Sequence, residues 1–220
     1  MKNIHFHNYS SAYGGQEIYR DLIISQLTEM GIACYSWTHP PRKSIRLQDS
    51  NGANSKSAIE VLNGNRALYI QSLKPKIASA RIYVHHSDLF DMQAGLWKAK
   101  VRIWLFKLLL RRVDLVIRVC KSSFPDGFTS TPVRTVYNGV HLPVLSPKSR
   151  KDHASLTLLM VGTMTENKNQ ILALEVLRSL PTVKLILVGD GPRKYEWQAW
   201  CEAQGLSDRV HWTGHVKDPS

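Results

Sequence analysis

Cysteine is scarce. The 220 residues hold three, Cys34, Cys120 and Cys201, far apart and with no Cys-x-x-Cys pair. That spacing argues against a disulfide framework and a structural zinc module, and for a reducing compartment. Long apolar runs are missing too. None approaches the roughly 20 residues that cross a bilayer. The opening Met-Lys-Asn-Ile-His-Phe-His has no extended apolar segment and no small-residue cleavage site, so no secretion signal is expected. Acidic residues are few, 17 against 29 basic ones, for a formal charge of +12. Such an excess suits an acidic partner, whether nucleic acid, an anionic membrane surface or a phosphorylated small molecule, or else simply a solvated surface. Neither Gly-x-Gly-x-x-Gly nor a Gly-Lys-Ser/Thr ending occurs, so nicotinamide, flavin and P-loop readings have little support. His5 and His7 form a His-x-His pair, but the other ligands a metal needs have no clear candidates.

What the chain does have is a βαβ pattern, clearest over 156–192. Leu-Thr-Leu-Leu-Met-Val-Gly162 is followed by a polar loop. An apolar periodic stretch comes next, and Val-Lys-Leu-Ile-Leu-Val-Gly-Asp-Gly-Pro192 closes the unit. Both flanking runs are nearly continuously apolar, as in parallel strands covered on both faces. The middle has Ile171, Leu174 and Leu177 at helical spacing. A strand, crossover helix and parallel strand is right-handed in nearly every sheet. Each strand ends in glycine at its carboxyl end, where open α/β sheets bind ligands.

The rest of the chain repeats the theme. Strands are expected at 4–6, 32–37, 81–85, 113–119, 133–136 and 209–213, and helices at 18–30 and 195–204. Residues 39–65 read as a long polar loop with one short helix at 57–62. Residues 141–154, rich in proline and charge and without periodicity, read as a linker. The expected fold class is therefore α/β with parallel sheets. An N-terminal Rossmann-like domain would occupy 1–142, a linker 143–154 and a second Rossmann-like domain 155–220.

The segment 96–112 is apolar and basic together. On a helical wheel Trp97, Val101, Trp104 and Leu108 fall on one side, and Ile103, Phe106 and Leu110 on another. A surface helix with one buried stripe does not look like this. The second face needs cover, either from protein, between the sheet and a neighbouring loop, or from lipid headgroups.

Individual motifs point to anion chemistry without fixing it. Gly14-Gly15, ahead of a helix, lets backbone amides approach a phosphate or sugar, and the helix terminus adds a positive partial charge. As a lone Gly-Gly turn it is equally a structural device. His85 and His86 close a strand, and alternation sends them to opposite faces, so at most one lines a cleft. Lys168 follows a strand end and precedes a helix, where a lysine reaches a bound diphosphate or else is a solvated loop residue. Gly189-Asp190-Gly191-Pro192 is a tight turn out of a strand.

The order of these features resembles the retaining glycosyltransferases of family 4, which have the GT-B fold. The matching residues are Gly14-Gly15-Gln16-Glu17 after strand one, the strand ending in His85, and Asp114-Leu-Val-Ile-Arg-Val-Cys-Lys-Ser. Tyr137-Asn138-Gly139-Val140 follows, then Val161-Gly162 with Lys168-Asn169, Leu187-Val188-Gly189-Asp190-Gly191-Pro192, and Arg209-Val-His-Trp-Thr-Gly214-His-Val. The likeness is specific in the second domain and looser in the first. It implies a first domain on the acceptor side and a second that binds a nucleotide-sugar, with a glycan or lipid-linked molecule as acceptor. Gly14 and Gly15 would face the donor's diphosphate or sugar, and His85 the sugar, with His86 as the fallback by one register. Lys168 would bind the diphosphate and Gly189 lie with the donor. Amides and basic side chains would neutralise the leaving diphosphate without a metal or other cofactor.

Two departures stand out. The family usually has arginine after the glycine of Val161-Gly162, and here Thr163 stands there, so Arg193 or Lys194 would have to substitute. The sequence also stops at Ser220, ahead of the family's paired glutamates. An incomplete donor domain, impaired transfer, and a second chain or copy completing the domain are therefore expected, because a small parallel sheet with an open edge is marginal. Placement is expected to be cytoplasmic, peripheral at the inner membrane, with 96–112 against its anionic surface. One alternative is a non-catalytic remnant or partner-binding module, which binds no nucleotide diphosphate. The other is a basic nucleic-acid-binding protein, which binds with a steep salt dependence. The basic residues are spread among loops and one helix, with no recognised RNA or DNA module, so no nucleic acid is expected.

Overall fold

The computed structural model describes residues 3–9, 15–38, 58–86, 96–139 and 156–216. The chain divides into two compact units, Met1–Leu142 and Pro143–Ser220. The linker expected at 143–154 and Gly14 lie outside the described residues, as does most of the 39–65 loop.

Unit one is a six-stranded sheet. Its strands are β1 (Ile4–Asn8), β2 (Cys34–Thr38), β3 (Ile59–Asn63), β4 (Ala80–His85), β5 (Leu115–Arg118) and β6 (Val133–Thr135). They run in the order β2-β1-β3-β4-β5-β6, with every pairing parallel. Helix α1 (Gly15–Glu29) links β1 to β2, α2 (Asn65–Gln71) links β3 to β4, and α3 (Leu96–Leu110) precedes β5. The two-residue period of the strands sorts side chains into two cores. Phe6, Val61 and Val84 pack with Tyr19 and Ile24 of α1. Leu62, Tyr83 and Val116 pack with Phe106, Leu109 and Leu110 of α3.

Two expectations are corrected here. Residues 57–62 do not form a helix, since β3 occupies Ile59–Asn63. Val61 and Leu62 are buried on opposite faces, so this interior strand has no polar side to reveal its two-residue period. Of the two covers open to the second face of α3, the protein one is not found among the described residues: Trp97 is 72% exposed and Trp104 is 64% exposed.

Unit two is a three-stranded parallel sheet, β7 (Thr157–Val161), β8 (Lys184–Val188) and β9 (Val210–Gly214), in that order. Helices α4 (Gln170–Arg178) and α5 (Lys194–Ala203) connect them. Leu174 and Leu177 of α4, Leu185 and Leu187 of β8, and Trp197 and Cys201 of α5 form its core. The helical spacing of Ile171, Leu174 and Leu177 is realised in α4, with Leu174 and Leu177 fully buried.

Candidate functional site

In each unit the polar and glycine-rich positions gather at the carboxyl ends of the strands.

In unit one, β1 ends at Asn8, β3 at Asn63 and β4 at His85. Asn8 Nδ2 donates to Glu17 Oε1 at 2.9 Å, tying the end of β1 to the first turn of α1. Asn63 Nδ2 donates to the Gln16 carbonyl at 3.0 Å. That donation fixes which way the Asn63 amide points. Its Oδ1, 2.7 Å from His86 Nε2, is therefore the acceptor of an Nε2–H. The tautomer leaves Nδ1 of His86 as a hydrogen-bond acceptor. The His86 ring also meets Tyr19 edge-on, with centroids 4.9 Å apart. Burial pushes its pKa down to about 4, against a smaller opposing pull from Glu17. His86 is thus neutral at pH 7.

His85 is placed differently. It is 0% exposed, its Nδ1 lies 2.8 Å from the Tyr83 hydroxyl, and its ring packs against Phe106 and Phe124. It is part of the α3-side core of unit one, whereas His86, one residue past the end of β4, is half-buried. Gly15 is the first residue of α1, with open space where a Cβ would stand. Asn8 and Asn63 went unnoticed in the sequence; the signal was an asparagine closing a strand just ahead of a helix, twice.

The His86 pKa has a consequence for stability. Its folded value lies below the ordinary 6.5, so between pH 6.5 and 4 the unfolded chain takes up the proton and the folded chain does not. Stability is full above that window and is lost as pH falls through it, by up to about 3 kcal/mol. His86→Gln keeps a donor for Asn63 and removes the titration. The expected result is a wild-type-minus-variant difference in urea-unfolding free energy that shrinks steadily from pH 7 to pH 4; a flat difference goes against it.

His5 and His7 lie on the opposite face from Phe6. His7 Nε2 is 3.2 Å from Glu60 Oε1, and Arg81 holds the other carboxylate oxygen at 2.6 Å. Gln71 Nε2 is 3.1 Å from His7 Nδ1 and donates to the Tyr9 hydroxyl at 2.6 Å. Among the described residues no group of three histidines, cysteines or carboxylates is placed to hold a metal.

In unit two the three strand ends are laced by backbone. The Gly162 N–H donates to the Val188 carbonyl at 2.9 Å, Met164 to Asp190 at 3.0 Å, and Gly189 to Gly214 at 2.8 Å. A Cβ on Gly189 would stand 2.1 Å from the Gly162 carbonyl oxygen, and one on Gly191 2.4 Å from that of Met164. These glycines are required by the close approach of the β7 and β8 ends. Past β7, a 3-10 turn at Glu166–Lys168 leads to Asn169, which adopts the left-handed conformation (φ 52°) and turns the chain into α4. Asparagine tolerates that region better than most residues. Gln170 Nε2 reaches back to the Thr163 carbonyl at 3.0 Å, pinning the loop.

The basic residues here are not equivalent. Arg193 bridges Glu166 and Glu196. Lys194 donates to Asp190 Oδ2 at 3.0 Å. That bond, with the Gly191 N–H on the other oxygen, holds the Asp190 carboxyl below its ordinary pKa. Lys168 is exposed and has no carboxylate partner among the described residues. Of the three it is the one whose charge no described carboxylate answers.

Residues 143–220 match the family described as glycosyl transferases, group 1. The second unit is a group 1 glycosyltransferase domain. The chain as a whole has a GT-B-like fold, partial relative to full GT-B structures. It superposes on Anabaena HepE in complex with UDP with a TM-score of 0.70 and 19% identity, covering 99% of this chain and 70% of that one. HepE with UDP-glucose gives 0.66 and 22%, covering 98% and 69%. WaaG, a glycosyltransferase involved in lipopolysaccharide biosynthesis, gives 0.59 and 17%, covering 98% and 70%. The chain thus spans about 70% of the length of these structures. No curated protein matches it. The matched segment contains Lys168, Gly189 and the ends of β7, β8 and β9.

Proposed function

We propose that this protein is a metal-independent, retaining glycosyltransferase that moves a sugar from a nucleotide-sugar to a cell-surface glycan or a lipid-linked acceptor at the cytoplasmic face of a membrane. The observation that carries the reading is the end of β7 in the group 1 domain. There Lys168 stands without a carboxylate partner among the described residues, beside the amino terminus of α4 and next to strand ends whose close approach Gly189 and Gly191 permit. A diphosphate fits such a place by charge and by backbone access. HepE holds UDP and UDP-glucose, which supports a uridine nucleotide as the first donor to try.

In this reading Lys168 takes the diphosphate and stabilises it as it leaves. The backbone at Gly189 lies along the donor, and Gly14 and Gly15 keep the role that the resemblance implies for them, backbone contact with the diphosphate or sugar. His86, rather than the buried His85, contacts the transferred sugar. A neutral imidazole with an acceptor Nδ1 takes a hydrogen bond from a sugar hydroxyl without adding charge. Because side chains and amides do the neutralising, no metal is required.

Titration calorimetry of the full chain with UDP tests this. Binding is expected, with the same affinity in EDTA as in magnesium. Absence of heat up to millimolar UDP and UDP-sugars would favour a non-catalytic, partner-binding module, and binding abolished by EDTA would remove the metal-independent mechanism.

A further inference from the structure

Helix α3 is built with two apolar faces. Phe106, Leu109 and Leu110 are buried in the core of unit one. On the outward side Trp97, Val101, Trp104 and Leu108 are all exposed, at 72%, 45%, 64% and 43%. Their spacing of four, three and four residues puts them in one stripe along the helix. Lys100, Lys107 and Arg111 flank the stripe on one side, and Lys98 and Arg112 on the other, all exposed. No acidic residue occurs from position 96 to 113. Two exposed tryptophans in an unbroken apolar row are costly in water. Trp and Leu between two rows of cations is the pattern of a helix lying in a membrane interface, with aromatic rings at headgroup depth and Lys and Arg reaching the phosphates.

We propose that the outward face of α3 docks this protein on an anionic lipid bilayer, with the helix lying flat and its Trp97–Leu108 stripe at headgroup depth. Fifteen residues give a helix about 22 Å long, too short to span the hydrocarbon. Among the described residues no helix is long and apolar enough to cross. The inner face, locked into the sheet, makes this a rigid attachment that orients unit one. Charge decides against the other occupants. A second copy related by two-fold symmetry would set cationic flanks of the same sign against each other, in a chain already carrying +12. Nucleic acid answers the cations and leaves the apolar stripe in water. The inference rests on α3 alone and stands whether or not the transferase reading does.

Vesicle sedimentation of the full chain tests it. Vesicles of phosphatidylcholine with about one-third phosphatidylglycerol should carry the protein down at about 0.1 M salt, and vesicles of phosphatidylcholine alone should not. Trp97→Gln with Trp104→Gln should weaken partitioning at least tenfold. Lys100→Gln, Lys107→Gln and Arg111→Gln together should weaken it about a hundredfold, at roughly fivefold per charge. All five positions are exposed, and unchanged circular dichroism and thermal midpoint confirm folded variants. Three results would overturn the proposal: wild type left in the supernatant with anionic vesicles, either variant binding as wild type does, or a dimer in sedimentation velocity that the tryptophan variant dissolves.

Discussion

Gly189→Ala takes away a large part of the stability of the second unit, about 3–5 kcal/mol. A unit of this size has roughly 4–12 kcal/mol in total. Two costs add. Gly189 sits at φ 134°, where an L side chain is strained. The new Cβ would also lie 2.1 Å from the Gly162 carbonyl oxygen, and that atom belongs to backbone that cannot rotate away. Relief requires the ends of β7 and β8 to part. Parting them breaks the Gly162-to-Val188 hydrogen bond and disturbs the one from Gly189 to Gly214. Gly205→Ala is the control, since its φ of +66° carries the conformational cost but its Cβ would meet nothing within 4 Å. That variant should cost only about 1 kcal/mol. Hydrogen exchange on the full chain reads both, with amides of β1 and β3 as reference. Gly189→Ala should deprotect β7 and β8 and leave the reference unchanged. Equal effects from the two variants would mean the close approach at Gly189 is not tight. Since a donor-binding glycine would also lose activity on substitution, only this stability measurement separates the two reasons for a glycine there.

The arrangement of strands and helices was largely legible, and the places where it was not have specific causes. Continuous apolar runs ending in glycine announced both β7, an edge strand that leaves Leu159 and Val161 exposed, and β8, an interior strand whose apolar residues are buried or half-buried on both faces. The same burial concealed β3, whose Ile-Glu-Val-Leu-Asn has no clean alternation and is too short for length to decide between helix and strand. At 85–86, alternation stated that the two histidines part company. It did not state which face would be filled. That depended on Phe106 and Phe124, 21 and 39 residues further along, closing over His85. In α3 the second apolar stripe was plain, and what covered it was not, since exposure is a property of the packed chain. In the second unit, charges could be counted but not paired. Arg193 and Lys194 looked able to replace the missing arginine at Thr163, yet Glu166, Glu196 and Asp190 already engage them.

That pairing gives the second large effect: Lys168→Ala lowers affinity for UDP by about ten- to a hundredfold while leaving the fold intact. A hydrogen bond to a charged group contributes roughly 1.5–3 kcal/mol, which is that range in affinity. The neighbours cannot compensate cheaply. For Arg193 to turn toward a diphosphate it must leave two carboxylates, and Lys194 must leave an aspartate whose own pKa is held down by the contact. Lys168 gives up no ion pair among the described residues, so its whole interaction with the phosphates appears as affinity. The same exposure means its removal should leave the thermal midpoint of the full chain within a degree or two. Uridine sharpens the measurement, because it keeps the base and ribose and lacks the phosphates. If Lys168 acts on the diphosphate, the variant loses affinity for UDP and none for uridine. Equal losses for both would move Lys168 to the nucleoside or to loop geometry, and no loss for either would leave the β7 end without the cation that the donor-site reading depends on. Lys168→Arg should recover part of the UDP affinity, since it keeps the charge while changing the geometry of the donor groups.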